Sequence, residues 1–186
     1  MSDAFIVAVL GAESTGKTTL ARDLAPALQA QTGLAATWVP EALRAWCAQA
    51  GRTPRPEEQA AIARTQHEHI AAAAQRHAIV VCDTTAVMTA VYSQWLFDDH
   101  GLEAWAAQAH ATVSATLVTA LDLPWEADGL QRDGPHVRGP VDGAVRALLA
   151  RHGIAFHEVA GQGPWRLACA LAALQSPLER WRVQSR

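Results

Sequence analysis

The chain of 186 residues is 50% hydrophobic and 18% charged, so its length and composition predict one domain around a single core. A net charge of −3 with scattered arginines gives no sign of a nucleic-acid partner. No apolar run is long enough to span a membrane, and the short N-terminal run lacks a basic leader, so we expect neither a membrane partner nor a signal peptide. The three cysteines, Cys47, Cys82 and Cys169, lack metal-ligand spacing and are predicted to be reduced thiols in the cytoplasm.

Short apolar runs alternate with helical patterns along the chain. Five runs are typical of buried strands: AFIVAVL, ATWV before Pro40, AIVVCD, ATLVTALDL and IAFHEV. The segments between and after them are predicted helices: 17–30 with Pro26 inside, 42–50, a long helix capped by Thr53, 85–97, 103–110, 141–152 and 164–175. This alternation predicts a parallel sheet with helices on both faces.

The segment GAESTGKTT, residues 11–19, fits the phosphate-binding loop pattern G-x-x-x-x-G-K-[ST] and contains the only lysine of the chain. It lies between a predicted strand and a predicted helix, which is the setting that this loop requires. A compact ammonium group suits a tight anion site better than the planar fork of arginine. We expect the phosphates of ATP to contact Gly11, Glu13, Ser14, Thr15, Gly16, Lys17, Thr18 and Thr19.

Ligands of parallel α/β sheets lie at the carboxyl ends of the strands, where this chain places several polar residues. Glu41 and Arg44 follow the second strand, and Asp83 ends the third. An apolar strand that ends in aspartate is typical of the Walker B arrangement, so Asp83 and Thr18 are predicted to hold Mg²⁺. The alternative for Asp83 is the N-cap of the following helix, and both roles are compatible.

The residues after Asp83 narrow the reaction class. Thr84 and Thr85 follow it, so the glutamate that orients water in many ATP-driven motors is not adjacent. The chain contains no asparagine and no second lysine, which removes the usual N-K-x-D reader of guanine. Phosphoryl transfer to a small acceptor is the reaction that these residues favour, with catalysis by positioning and charge neutralisation.

The glycine- and proline-rich segment 124–140 is predicted to be a short lid that excludes water from the transferring phosphate. We expect Arg132 or Arg138 on this loop to act in catalysis, although both arginines have acidic neighbours with which they can pair instead. In GQGPWRL, Arg166 is a candidate for contact with the adenine base, and a helix start at Pro164 is an equally good and compatible interpretation.

Aromatic side chains near the ends of the second and third strands are candidates for the acceptor site. Trp38 and Tyr92 are predicted to contact the acceptor, since a flat cationic ring is attracted to aromatic faces and to a carboxylate such as Glu41. The alternative is that these rings fill gaps in an alanine-rich core. Glu41 is also a candidate to bind ribose or to take the hydroxyl proton, a role for which Asp83 competes.

The motifs GAESTGKTTLARDLA, PEALR, VVCDTTAVMTAVY and DLPWEADGLQRDG, in this order, resemble the nicotinamide riboside kinase domain of NadR-type proteins over about residues 5–175. The resemblance implies a three-layer P-loop NTPase fold, similar to nucleoside monophosphate kinases, with ATP and Mg²⁺ as cofactors. It also implies that Asp128 contacts the acceptor. The sequence departs from the family at Thr85, where a second acid is common, and at Arg132, which lies one residue later than usual.

Three functional hypotheses follow. The first is an ATP-dependent kinase that phosphorylates the 5′-hydroxyl of nicotinamide riboside. The second is a kinase of another nucleoside or small metabolite. The third is a non-catalytic ATP-binding module that regulates a partner protein. Glu41 and Arg44 beside the phosphate loop, together with the lid, favour the two kinases.

Overall fold

A computed structural model of the protein describes residues 4–126 and 134–184. Its centre is a five-stranded sheet in the order β2-β3-β1-β4-β5, in which every neighbouring pair is parallel. The strands are β1 Phe5–Leu10, β2 Ala36–Val39, β3 Ile79–Asp83, β4 Ala115–Thr119 and β5 His157–Val159. The predicted parallel sheet of five strands is confirmed.

Helices cover both faces of the sheet because the strand side chains alternate between them. The helices are α1 Lys17–Thr32, α2 Ala42–Ala50, α3 Pro56–Ala74, α4 Ala86–Phe97, α5 Glu103–His110, α6 Arg138–Arg151 and α7 Pro164–Gln184. Phe5, Val7 and Val9 of β1 pack with α1 and α7 on one face, whereas Ala8 and Leu10 pack with α4 and α6 on the other. The predicted three-layer P-loop NTPase fold is confirmed.

Two helix starts differ from the sequence prediction. Thr53 does not cap α3, which begins at Pro56, because the Glu58 carboxylate accepts a hydrogen bond from the Arg55 N–H at 2.7 Å. The helix α6 begins at Arg138 rather than near residue 141. It includes Pro140 in its first turn, where the missing N–H of a proline removes no helical hydrogen bond.

The last helix is longer than predicted and runs to Gln184 through Pro177. Leu178 is buried beyond the proline, and the Trp181 ring lies 5.6 Å from the Phe5 ring of β1. This packing continues the apolar face of α7 past Pro177, and tertiary contacts outweigh the local helix-breaking preference. Within the described part of the chain, no helix combines the length and the apolar character that a membrane span requires.

Candidate nucleotide and acceptor site

The phosphate loop connects β1 to α1 and has the backbone of an anion nest. Gly11 and Gly16 have φ angles of 143° and 76°, and Ser14 between them has a φ of 54°. The Lys17 ammonium donates a hydrogen bond to the Ala12 carbonyl at 2.7 Å, which holds the side chain against the loop. Backbone N–H groups and the start of α1 therefore face the position where a phosphate binds.

Thr119 at the end of β4 supports the loop from below. Its hydroxyl lies 2.7 Å from the Thr15 hydroxyl, which in turn donates to the Ala12 carbonyl at 2.7 Å. A Cβ atom on Gly11 would overlap the Thr119 hydroxyl, so only glycine fits where the loop begins. The carboxyl-end rule that selected Asp83 also applies to Thr119, but the sequence prediction missed this residue.

Arg166, a predicted nucleotide-site residue, lies directly behind the phosphate loop. Its side chain is buried, and its guanidinium donates to the Thr15 carbonyl at 2.9 Å, to the Gly161 carbonyl at 2.7 Å and to the Asp122 carboxylate. All three contacts turn the guanidinium towards protein atoms behind the phosphate loop. The structure therefore assigns the N–H groups of Arg166 to support of the loop, for which three donors in a rigid fork are well suited, and the adenine contact stays a prediction.

Asp83 lies at the end of β3, 1% exposed, and its Oδ1 atom has no hydrogen-bond partner among the described residues. Burial raises the pKa of this carboxyl, against the opposing effects of a hydrogen bond from Thr18 and of the Lys17 and Arg44 charges. The N-cap of α4 is Thr85, whose hydroxyl accepts a hydrogen bond from the Val87 N–H at 3.3 Å. The alternative role of Asp83 as a helix cap is thus wrong.

The pair of Asp83 and Thr18 fits a magnesium ion that arrives with a nucleotide. Mg²⁺ is usually held by one or two carboxylates and by substrate phosphates, with several waters, so a single buried carboxylate oxygen is an appropriate protein ligand. Among residues 4–126 and 134–184, no group of three or more histidine, cysteine, aspartate or glutamate side chains comes together as a metal site. The donor set therefore favours a shared site over a metal cage built by protein alone.

The turn after Asp83 is strained. Thr84 is buried and has a φ of 71°, a left-handed conformation that is rare for a β-branched residue. Its N–H donates to the Val9 carbonyl of β1 at 3.1 Å, so the sheet ladder fixes the backbone there. The turn leaves Asp83 buried beside Thr18 of the phosphate loop and places Thr85 at the start of α4. No sequence signal predicts a left-handed threonine.

Glu41 and Arg44 lie beside the phosphate loop in one open cleft of about 990 Å³. The Arg44 Nε atom is 3.8 Å from a Glu41 carboxylate oxygen, and the Glu41 side chain is the less exposed of the two, at 14% against 44%. Much of the apolar lining of the cleft comes from one helix, α4. Its cleft-lining residues are Met88, Tyr92, Leu96 and Phe97.

The positions of the other predicted site residues differ. Trp38 does not line the cleft, because its partly buried ring packs against the core on the α1 and α7 face of the sheet. Arg138 is the first residue of α6 rather than a loop residue, and it donates to the Leu123 carbonyl at 2.9 Å and to the Ser14 carbonyl at 3.5 Å. Arg132 and Asp128 lie outside the described residues.

One end of the predicted lid contacts the phosphate loop directly. The Glu126 N–H donates to the Ser14 hydroxyl at 2.8 Å, and the hydroxyl lies 3.2 Å from the Glu126 carbonyl. Together with the contacts of Arg138, these bonds attach both described borders of the segment to the loop. These contacts fix the two described borders of the segment beside the phosphate loop.

The sequence matches the AAA domain family over residues 6–166, which is most of the chain. The chain belongs to the AAA domain family. No curated protein matched it significantly. This family member carries its phosphate loop, Asp83 and Arg166 within the matched residues.

Solved structures with the same fold include two of NadR. The NadR structure in complex with NAD and AMP-PNP has a TM-score of 0.74 at 20% identity, and the one in complex with NR has 0.73 at 22%. The AAA domain protein described here aligns over 95% and 93% of its own chain but spans only 50% and 51% of those two. Thymidylate kinase from Ehrlichia chaffeensis matches at 0.61 and 16%, over 92% of this chain and 99% of that one. The resemblance to the NadR-type kinase domain is thus confirmed as a likeness of fold.

Proposed function

We propose that this protein is an ATP-dependent kinase that transfers the γ-phosphate to the 5′-hydroxyl of nicotinamide riboside, giving nicotinamide mononucleotide. The observation that carries the proposal is the shared cleft, in which Glu41, Arg44 and the aromatic wall of α4 lie beside the phosphate loop. A protein that only binds a nucleotide as a switch does not need a second half of the cleft with polar and aromatic side chains. The likeness to NadR in complex with NR supports the choice of acceptor.

On the ATP side, the loop amides and Lys17 bind the β- and γ-phosphates and orient the terminal phosphorus towards the acceptor half. Thr119 and Arg166 hold the loop from behind, so its amides are in place before the nucleotide arrives. Such preorganisation matters because phosphoryl transfer depends mainly on positioning and charge neutralisation. Arg138 attaches the lid border to the same loop.

Thr18 and Asp83 are the residues that would hold Mg²⁺. When bound, the ion neutralises phosphate charge and orients the phosphate oxygens. Thr84 fixes the backbone after Asp83, which keeps the carboxylate beside Thr18. Of the carboxylates that line the cleft, we assign Glu41 to the acceptor because it lies with Arg44 after β2.

On the acceptor side, Glu41 receives the proton of the ribose hydroxyl as its oxygen attacks the γ-phosphorus. The bond between that phosphorus and the oxygen bridging to the β-phosphate breaks, and ADP leaves with the electron pair. Arg44 balances the charge around the transferring group. Tyr92 provides an aromatic face for the pyridinium ring, whose positive charge also favours the acidic side of the cleft.

The test is a panel of nucleosides, including nicotinamide riboside, with ATP and Mg²⁺, in which ADP release and product mass are both measured. We expect ADP and nicotinamide mononucleotide in equal amounts. Clear turnover with another nucleoside but not with nicotinamide riboside would overturn the acceptor and leave a kinase. Tight ATP binding without transfer to any acceptor would favour a regulatory module instead.

A further inference from the structure

The cleft contains a buried polar group that the proposed reaction does not use. Gln59 lies near the start of α3, is 1% exposed and lines the same cleft as Glu41 and Tyr92. Its Oε1 atom is buried and has no hydrogen-bond partner among the described residues. Since a buried amide oxygen is nearly always paired, this atom indicates a missing donor.

A second buried glutamine on the same helix shows what a structural role looks like. Gln66 is 2% exposed and lies two turns further along α3, on the same face as Gln59. Its Oε1 accepts a hydrogen bond from the Ala42 N–H at 2.7 Å, which ties α3 to the first residue of α2. It does not line the cleft. The Gln66 Nε2 atom also has no hydrogen-bond partner among the described residues, but only Gln59 lines the cleft, so it is the one placed to meet a ligand.

The unpaired Gln59 oxygen calls for a ligand that carries an N–H donor. The cleft that Gln59 lines also has Pro54, the charged pair Glu41 and Arg44, and apolar side chains of α4. An amide oxygen pairs best with an N–H group, and a carboxamide offers both a donor and an acceptor to a glutamine side chain.

We propose that Gln59 recognises the exocyclic carboxamide on the acceptor ring and thereby sets the specificity of the enzyme. The inference rests on the proposed function, because it concerns the acceptor half of the same site. It makes Gln59 a specificity-determining residue that contacts the substrate away from the transferred phosphate.

The proposal predicts discrimination against the analogue in which a carboxylate replaces the carboxamide. That analogue, the riboside of nicotinic acid, has no N–H for the Gln59 oxygen and brings an anionic oxygen towards it. A site built around a hydrogen bond rejects a ligand that leaves its buried group unpaired more strongly than one methylene group alters binding. We expect wild-type protein to prefer the carboxamide riboside by about tenfold or more in kcat/KM.

The experiment compares wild-type protein, Gln59→Met and Gln66→Met with both ribosides, measuring kcat and KM for each riboside and KM for ATP. Methionine matches glutamine in length but forms no comparable hydrogen bond. We expect Gln59→Met to lower kcat/KM for the carboxamide riboside by about three- to tenfold, mainly through KM, with KM for ATP unchanged. The preference over the carboxylate analogue should shrink accordingly. Gln66→Met should reduce thermal stability and affect both ribosides alike.

A further variant keeps the test valid if Gln59→Met fails to fold. Melting temperatures will report the folding of each variant. Gln59→Glu keeps an acceptor oxygen for the carboxamide and adds repulsion against a carboxylate, so it should keep or increase the preference. If wild-type protein phosphorylates nicotinamide riboside but Gln59→Met leaves the ratio between the ribosides unchanged, this inference is overturned while the proposed function stands. If wild-type protein phosphorylates neither riboside, both fall.

Discussion

Acid should weaken this fold through one buried histidine, His110. Its ring, 4% exposed, lies 3.1 Å from the Thr85 hydroxyl through Nδ1 and 2.8 Å from the Thr116 hydroxyl through Nε2. His110 and His67 of α3 both line one small cavity. Burial lowers the pKa of His110 from 6.5 to about 4, so the folded protein keeps the ring neutral where an unfolded chain would protonate it.

The direction of the pH effect on stability follows from the lowered pKa of His110. The contribution of His110 to stability is fully present above pH 6.5, and it decreases as the pH falls towards about 4, because only the unfolded state binds the proton in that range. The whole effect amounts to about 3 kcal/mol, of which about 1 kcal/mol is lost between pH 7 and pH 5.5. The range from pH 7 to pH 5.5 is the better one to measure, since the titration of carboxylates changes the stability little there.

Urea titrations followed by tryptophan fluorescence at several pH values between 7 and 5.5 would measure the free energy of unfolding. The matched control is His110→Gln, which keeps a polar group near Thr116 but does not titrate in this range. We expect the wild-type protein to lose about 1 kcal/mol more than the variant across the interval. Equal pH dependence in both proteins would refute the argument that the ring is held neutral by burial.

Three further predictions concern the cleft. Lys17→Ala should reduce phosphoryl transfer by orders of magnitude with an unchanged fold by circular dichroism, and Lys17→Arg should fail as well; near-normal turnover would contradict the phosphate site. Asp83→Asn and Thr18→Ala should each raise the Mg²⁺ concentration required and cut the rate by orders of magnitude. Because burial raises the Asp83 pKa, its ionised form destabilises the fold at neutral pH, so the asparagine variant should also melt higher without Mg²⁺; a lower melting temperature would argue against this. Glu41→Gln should reduce kcat/KM for the acceptor by roughly ten- to a hundredfold with little change in ATP binding, and equal losses on both sides would make Glu41 structural.

The parts of the site that the sequence predicted are those with a local pattern. An apolar run, a glycine loop and a helix identified the phosphate loop, and an aspartate after a β-branched run identified Asp83. The carboxyl-end rule then brought Glu41 and Arg44 to the same region, and both line the cleft with the loop. Each of these inferences needs only strand order and neighbouring residues.

The parts that were missed depend on contacts between distant segments. Arg166 is far in sequence from the phosphate loop, and only the folded chain shows that its side chain reaches Thr15. Gln59 is one of several polar residues on an alanine-rich helix, and only its place in the folded cleft, with an unpaired buried oxygen, distinguishes it. Trp38 was misplaced for the opposite reason, since β2 presents it to the α1 and α7 face of the sheet.

The contact between Arg166 and Thr15 also has a consequence for protein synthesis. The two residues are 151 positions apart, so a ribosome that adds about 5–20 residues per second completes the phosphate loop roughly 8–30 s before its buried support exists. Arg166 is missing during that whole interval, and Thr119 is missing for most of it. We therefore expect a nascent chain to bind ATP weakly until the ribosome has made the start of α7.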